Sequence, residues 1–240
     1  MIPKIIHYCW FGHNPLPPLA KRCIDSWQKY LPDYQIKKWD ENNFDVNEIP
    51  YTREAYEAHK YAFVSDYARF KILYDFGGLY FDTDVELIRP INDIILRGPF
   101  MGCEMSGGKS NFFSVGPGLG LGSTAGLPLY KEILDLYRSI HFKQEDGTYN
   151  QKTVVEYVTD ILYQKGLQKK RNIQIVSGVC VYPKEYFCPL FGKYIDFTKN
   201  TRSIHHYMSS WKKYGFRKQC IMIVHRLVVF LQKTRIALFG

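Results

Sequence analysis

The chain has 240 residues, 46% of them hydrophobic and 23% charged, which excludes a disordered or low-complexity scaffold. Its 19 Tyr and 16 Phe suit a Tyr-rich core and also stacking on flat ligands or sugar rings. The net charge of +9 is very unevenly placed: no acidic residue follows Asp196, while nine cations do, so residues 1–196 carry 23 cations against 23 acids. A basic end of this kind points to an anionic partner, whether phosphate, nucleic acid or a membrane surface. No apolar run approaches the roughly 20 residues that span a bilayer. The start, Met1 to His7, lacks the pattern of a cleaved signal, so the chain is expected in the cytoplasm. Six scattered cysteines without a CxxC pair read as reduced and structural.

In chain order, residues 2–10 predict a buried strand and residues 18–30 an amphipathic helix that ends before Pro32. Residues 34–39 alternate as a second strand. Residues 53–76 hold helical periodicity up to the stop Gly77-Gly78. Residues 79–87 predict a strand interrupted by carboxylates. The Gly- and Ser-rich stretch 106–126 reads as loops around short strands, followed by helices over 127–141 and 151–165. Strands are expected at 173–181 and 204–207. Alternating strands and helices give an α/β fold with a mostly parallel central sheet. One domain over residues 1–212 is expected, with an appendage at 213–240.

That appendage has polar residues at Lys218/Gln219, His225/Arg226 and Gln232/Lys233, a seven-residue spacing on an otherwise apolar helix. A wide apolar face with a cationic stripe suits a helix lying in an anionic membrane surface. Packing on the domain or on a second subunit is the plainer alternative.

Asp82-Thr83-Asp84 follows the apolar strand entry Gly77 to Phe81. Residues i and i+2 of a strand share a face, and two adjacent carboxylates repel unless a cation sits between them. Hard divalent ions such as Mn²⁺ or Mg²⁺ take such oxygen ligands and share them with substrate phosphates. The carboxyl edge of a core strand is also where open α/β sheets bind ligands. Asp66 and Arg69, three apart on the preceding helix, share a face.

The run from Ala62 to Asp84 (AFVSDYARFKILYDFGGLYFDTD) resembles the signature of the DXD-containing glycosyltransferases of family 32. These include the yeast initiating mannosyltransferase, bacterial capsule and lipopolysaccharide glycosyltransferases and, more distantly, the clostridial glucosylating toxins. The opening Ile2 to Trp10 (IPKIIHYCW) and the later stretch Ser203 to Trp211 (SIHHYMSSW) are similar to the same family in the same order. The resemblance implies a GT-A fold, a nucleotide-sugar donor and a retaining hexosyl transfer. By it, Trp10 stacks on the nucleotide base and Tyr80 lies near the nucleotide. Asp66 and Arg69 contact the donor sugar and the leaving diphosphate. Asp82 holds the ribose and a metal-bound water, Asp84 ligates the metal, and Ser210 and Trp211 close over the phosphate. The third metal ligand is expected to be His206, which precedes the aromatic Tyr207, with His205 as the fallback. The cofactor is Mn²⁺ or Mg²⁺.

A UDP-sugar is favoured over GDP-mannose, and the acceptor is expected to be a saccharide or lipid-linked oligosaccharide of a capsule or lipopolysaccharide. The enzyme would then be peripheral at the inner face of the cell membrane. A metal-dependent nucleotidyl- or phosphotransferase would also use paired carboxylates, but it should carry extra cations near the phosphates. A nucleic-acid-binding protein would spread cations and aromatics over one face, whereas here the cations cluster on a helix with a broad apolar face, so no nucleic acid is expected. A catalytically dead sugar-binding relative is disfavoured by the intact Asp82-Thr83-Asp84.

Overall fold

In the computed structural model, which describes residues 1–106, 113–191, 194–208 and 216–239, the expected Ile-rich opening forms β1 (Ile5–Cys9). It is followed by α1 (Pro18–Tyr30), β2 (Gln35–Trp39), α2 (Pro50–Glu57), α3 (Tyr61–Phe76), β3 (Gly78–Tyr80), β4 (Val85–Leu87) and α4 (Asn92–Ile95). Next come β5 (Phe100–Ser106), β6 (Phe113–Val115), a 3-10 turn (Pro117–Leu119), β7 (Leu121–Ser123), α5 (Pro128–Arg138) and α6 (Val154–Gln164). The chain continues through β8 (Gln174–Val176), β9 (Val179–Tyr182), β10 (Leu190–Phe191), β11 (Tyr194–Ile195), β12 (Ser203–His205) and α7 (Phe216–Phe239).

The central sheet has the order β2-β1-β3-β7-β5-β9-β8, with β6 on β5. β2, β1, β3, β5 and β9 all run in one direction, since β7 pairs antiparallel to both β3 and β5. The α/β class with a mostly parallel sheet therefore holds, and β6, β7 and β8 are its antiparallel members. Side chains alternate between two apolar layers. Ile6, Tyr8, Leu79 and Phe81 pack with Trp27 of α1, while Cys9 and Tyr80 pack with α3 on the other face. Trp27 Nε1 donates to the Val85 carbonyl at 2.7 Å, and Ser26 Oγ accepts from the Leu87 N–H at 2.9 Å, so α1 pins β4.

Three expectations about the elements need correction. The periodicity over 53–76 covers two helices, because the chain breaks between Glu57 and Tyr61, where His59 has φ +56°. The apolar pattern continues across the break because both helices face one core. The strand expected at 173–181 is a hairpin, β8 to β9, turned at Ser177-Gly178, both at positive φ. β5, which lies between β7 and β9 in the sheet, has no expectation in the sequence, because the run Phe100 to Cys103 is buried throughout and shows no alternation. The expected stop at Gly77-Gly78 is present. Gly78 has φ +102°, and a Cβ there would lie 2.7 Å from the Ile5 carbonyl, so only glycine turns α3 directly into β3.

The five cysteines whose side chains are described are buried free thiols. The appendage expected at 213–240 contains α7, which packs Val229, with Val228 and Ile236 partly buried, against Ile88, Leu190 and Ile204. It leaves Val224, Leu227, Phe230 and Leu231 exposed. Among the described residues no helix is long and apolar enough to cross a membrane.

Candidate active site

β1 and β3 end side by side, and their carboxyl ends open into a cleft of about 720 Å³. Trp10, Ser65, Arg69, Tyr80, Asp82, Thr83, Asp84 and His205 line it. Trp10 is half-buried just past β1, and its Nε1 donates to the Asn14 carbonyl at 2.6 Å. Its indole lines the cleft and also packs against the apolar layer around Trp27.

Arg69 is buried and organises one wall. Its Nη2 donates to Asp66 Oδ1 at 3.0 Å and lies 3.3 Å from Asp82 Oδ1, while its Nε donates to the Ser65 carbonyl at 3.0 Å. The guanidinium also sits over the Tyr80 ring, whose hydroxyl donates to Asp82 Oδ1 at 3.1 Å. Burial pushes the Asp66 carboxyl up to about 7, with the Asp82 charge adding to the shift and Arg69 opposing it. The backbone at Val154, at the start of α6, also favours the charged form of Asp66. This helix start is fixed by a capping box between Thr153 and Glu156. Asp66 and Arg69 thus share one face of α3, as their spacing implied, but the face is buried and turned toward Asp82.

Asp84 forms the other wall with β12, which pairs antiparallel with β4 through Ser203–Leu87 and His205–Val85. His205 Nε2 lies 3.1 Å from Asp84 Oδ1, and the Met208 N–H donates to Asp84 Oδ2 at 2.8 Å. Burial alone would raise the Asp84 carboxyl, but His205 and these donors outweigh it and hold it at about 2. Burial would lower the His205 pKa, yet Asp84 raises it overall.

By the family resemblance His206 is expected at this carboxylate, with His205 as the alternative. In the structure it is His205 that faces Asp84. His206 Nε2 points the other way, 3.0 Å from Glu86 Oε2, and Glu86 also bonds Lys233 of α7. Adjacent strand residues face opposite sides, and the register His205–Val85 turns the first histidine toward Asp84. Ser210 and Trp211 lie outside the described residues.

Asp84 and His205 supply a carboxylate oxygen and an imidazole nitrogen, a donor pair suited to Mn²⁺ and less so to Mg²⁺. The Nδ1 of His205 is buried without a partner, so the ring is not committed to a second protein bond. Among the described residues no three His, Cys, Asp or Glu side chains converge in a ligand cluster. The chain therefore fits a divalent ion through these two residues, with other positions left to substrate oxygens and water.

Two participants carry no usable signal in the sequence, and a third, Tyr207, is marked there only as the aromatic that follows His206. Gly118, in the 3-10 turn, accepts from the Asp82 N–H at 3.0 Å, and a Cβ at Gly118 would overlap Asp82 Oδ2. Its place in a Gly-rich loop was a signal too common to use. Glu104 of β5 also lines the cleft; its carboxyl is raised by burial, which His205 and Tyr207 oppose. Tyr207 donates its hydroxyl to Glu104 Oε1 at 2.9 Å and sits with its ring 4.1 Å from that of His205.

A sequence profile described as the glycosyltransferase sugar-binding region containing the DXD motif matches residues 17–101. Inositol phosphoceramide mannosyltransferase 3 of Schizosaccharomyces pombe is 32% identical over 102 residues, covering 39% of this chain and 27% of that protein. An uncharacterized glycosyltransferase of Acanthamoeba polyphaga mimivirus is 32% identical over 106 residues, 42% of each chain. The matched region is thus less than half the length of these relatives. Among solved structures, the PaToxG glycosyltransferase superposes with a TM-score of 0.49 at 21% identity, over 69% of this chain and 70% of that one. A glycosyltransferase involved in glycosylation of the major capsid of PBCV-1 gives 0.46 at 16% identity, over 91% and 99%. The profile match, which ends seventeen residues beyond Asp84, and these relatives support placing the chain with the DXD-containing glycosyltransferases, to which its residues 17–101 are similar.

Proposed function

We propose that the chain is a GT-A, metal-dependent hexosyltransferase that moves a sugar from a nucleotide donor to a saccharide or lipid-linked acceptor. The observation that carries this reading is the convergence of Trp10, Arg69, Asp82, Asp84 and His205 on one cleft at the carboxyl edge of β1 and β3. Trp10 offers its ring to the nucleotide base. Arg69, anchored by Asp66, is a buried cation 3.3 Å from Asp82 and offsets charge on the leaving diphosphate. Tyr80 holds Asp82 in position through its hydroxyl. Asp84 and His205 would hold the divalent ion, which would supply Lewis-acid stabilisation to the leaving nucleoside diphosphate. Ser210 and Trp211 close the phosphate end by the family resemblance.

Retention is read as a same-face substitution, in which the departing phosphate accepts the acceptor hydroxyl's proton. A UDP-hexose remains the favoured donor. Mannose is a second reading, because the Schizosaccharomyces pombe relative is named a mannosyltransferase. α7 supports an acceptor at a membrane surface, since it exposes Leu227, Phe230 and Leu231 along a cationic segment.

The deciding experiment is a screen of UDP- and GDP-sugars for hydrolysis with and without Mn²⁺. Release of free sugar and nucleoside diphosphate from one donor supports the reading. Cleavage that instead leaves a nucleoside monophosphate assigns the cleft to nucleotidyl or phosphoryl transfer.

A further inference from the structure

Glu104 belongs to none of the sequence motifs, yet three independent features aim it into the cleft. The first is a β-bulge: Cys103 pairs with Val115 and Met105 with the next residue, Ser114, so Glu104 is the extra residue of β5. Bulges re-aim a side chain, and they recur beside active sites. Cys103 and Met105 stay in the core while Glu104 reaches the space shared by Asp82, Asp84 and His205. The second is Tyr207, a non-glycine residue at φ +48°, a conformation that persists only where surrounding contacts impose it. Its hydroxyl is held between Glu104 Oε1 at 2.9 Å and Cys188 Sγ at 3.0 Å. The third is that among the described residues no Lys or Arg forms an ion pair with Glu104, whose polar neighbours are the Tyr207 hydroxyl and the His205 ring of the cleft itself.

The sheet order then says what Glu104 meets. Trp10 follows β1, the two aspartates follow β3, and Glu104 lies near the carboxyl end of β5, with β7 between β3 and β5. β1, β3 and β5 run the same way, so all three positions lie along one sheet edge, with β1 about 5 Å and β5 about 10 Å from β3. If the base lies at Trp10 and the diphosphate at Asp82 and Asp84, the next group along that edge is the sugar. A carboxylate only accepts hydrogen bonds, so it repels phosphate and suits a polyol.

We propose that Glu104 accepts a hydroxyl of the sugar carried by the nucleotide donor, and that Tyr207 is the positioning residue that aims it. This rests on the donor reading above. The test is calorimetric binding, with Mn²⁺, of UDP, GDP, UDP-glucose and GDP-mannose to the wild type, Glu104→Ala, Glu104→Gln and Tyr207→Phe. Glu104→Ala should leave the nucleotide affinity within about twofold and weaken nucleotide-sugar binding about tenfold, the size of a lost hydrogen bond to a charged group. Glu104→Gln, which preserves volume if the alanine variant folds poorly, and Tyr207→Phe should show the same split at smaller size. Unchanged affinity for both ligand classes overturns the proposal. Equal loss of both overturns it too, because Glu104 would then organise the His205 wall and not the sugar. If the wild type binds UDP-glucose or GDP-mannose no more tightly than the free nucleotide, no sugar contact exists and the proposal fails while the nucleotide reading stands. A wild type that binds no nucleotide at all removes the donor reading and this proposal with it.

Discussion

His205 Nε2 stands 3.1 Å from Asp84 Oδ1, while the next residue, His206, is committed to Glu86 on the opposite face of β12. The two histidines therefore give a sharp contrast by mutation. His205→Ala should lower Mn²⁺-dependent donor hydrolysis by at least the ~10–100-fold typical of losing support at a metal site. Part of that loss should return as Mn²⁺ is raised. His206→Ala should leave hydrolysis within about threefold, and its effect should fall on the packing of α7, which also reaches Glu86 through Lys233. Steady-state rates across a Mn²⁺ titration read both variants. Equal losses would mean that neither ring is specific to the site.

Gly118→Ala tests how closely the 3-10 turn supports the first aspartate. The added methyl would overlap Asp82 Oδ2 and come within 3.1 Å of the Arg69 guanidinium. Either the carboxylate rotates off Arg69 or the turn retreats, at an overpacking cost of about 1–3 kcal/mol. Turnover should drop at least tenfold with a modest fall in Tm. Gly122→Ala is the comparison, since its Cβ would strike Phe100 in the core and not Asp82. It should lower Tm at least as much, with turnover per folded molecule better preserved. Thermal melts paired with kcat measurements separate the two variants.

Asp66 gives a pH prediction. Its carboxyl is raised to about 7 in the fold by burial, against roughly 3.9 in an unfolded chain. Between those values the folded state binds a proton that the unfolded state has released. This contribution is complete below pH ~3.9 and is lost as pH climbs through about 7. Asp66→Asn keeps the carbonyl toward Arg69 and removes the titration. The Tm of the wild type minus that of the variant should fall from pH 4 to pH 7 and level off above pH 8. Parallel curves across this range would show that Arg69 keeps Asp66 ionised throughout.

The exposed face of α7 predicts membrane association. Leu227 and Leu231 are 61% and 65% exposed one helical turn apart, while Val229 on another face holds the helix to the domain. Leu227→Glu with Leu231→Glu should abolish co-sedimentation with phosphatidylglycerol vesicles and leave donor hydrolysis unchanged. Wild-type binding should weaken with added salt, because the cations of this segment contribute about 1 kcal/mol each near an anionic leaflet. If the wild type ignores such vesicles and light scattering finds a dimer that the double variant dissolves, the face covers a second copy of the chain.

The stretch Tyr61 to Asp84 was legible from sequence because its signals are local. An apolar helix, a glycine pair that only positive φ can satisfy, and carboxylates just past a short buried strand all act over a few residues. Asp82, Asp84, Arg69 and Asp66 follow from that stretch, and Trp10 from its place at the end of β1. Alternation also told that only one of His205 and His206 could face the carboxylates. Which one depends on the register of β12 against β4, set by pairs more than a hundred residues apart, and no local pattern encodes it. The same holds for Glu104, whose direction comes from a bulge between β5 and β6, and for Gly118, whose missing side chain matters only because Asp82 is folded against it. Short-range propensity and periodicity write the elements into the sequence, while the pairing register and the close approach of distant segments are settled by tertiary packing.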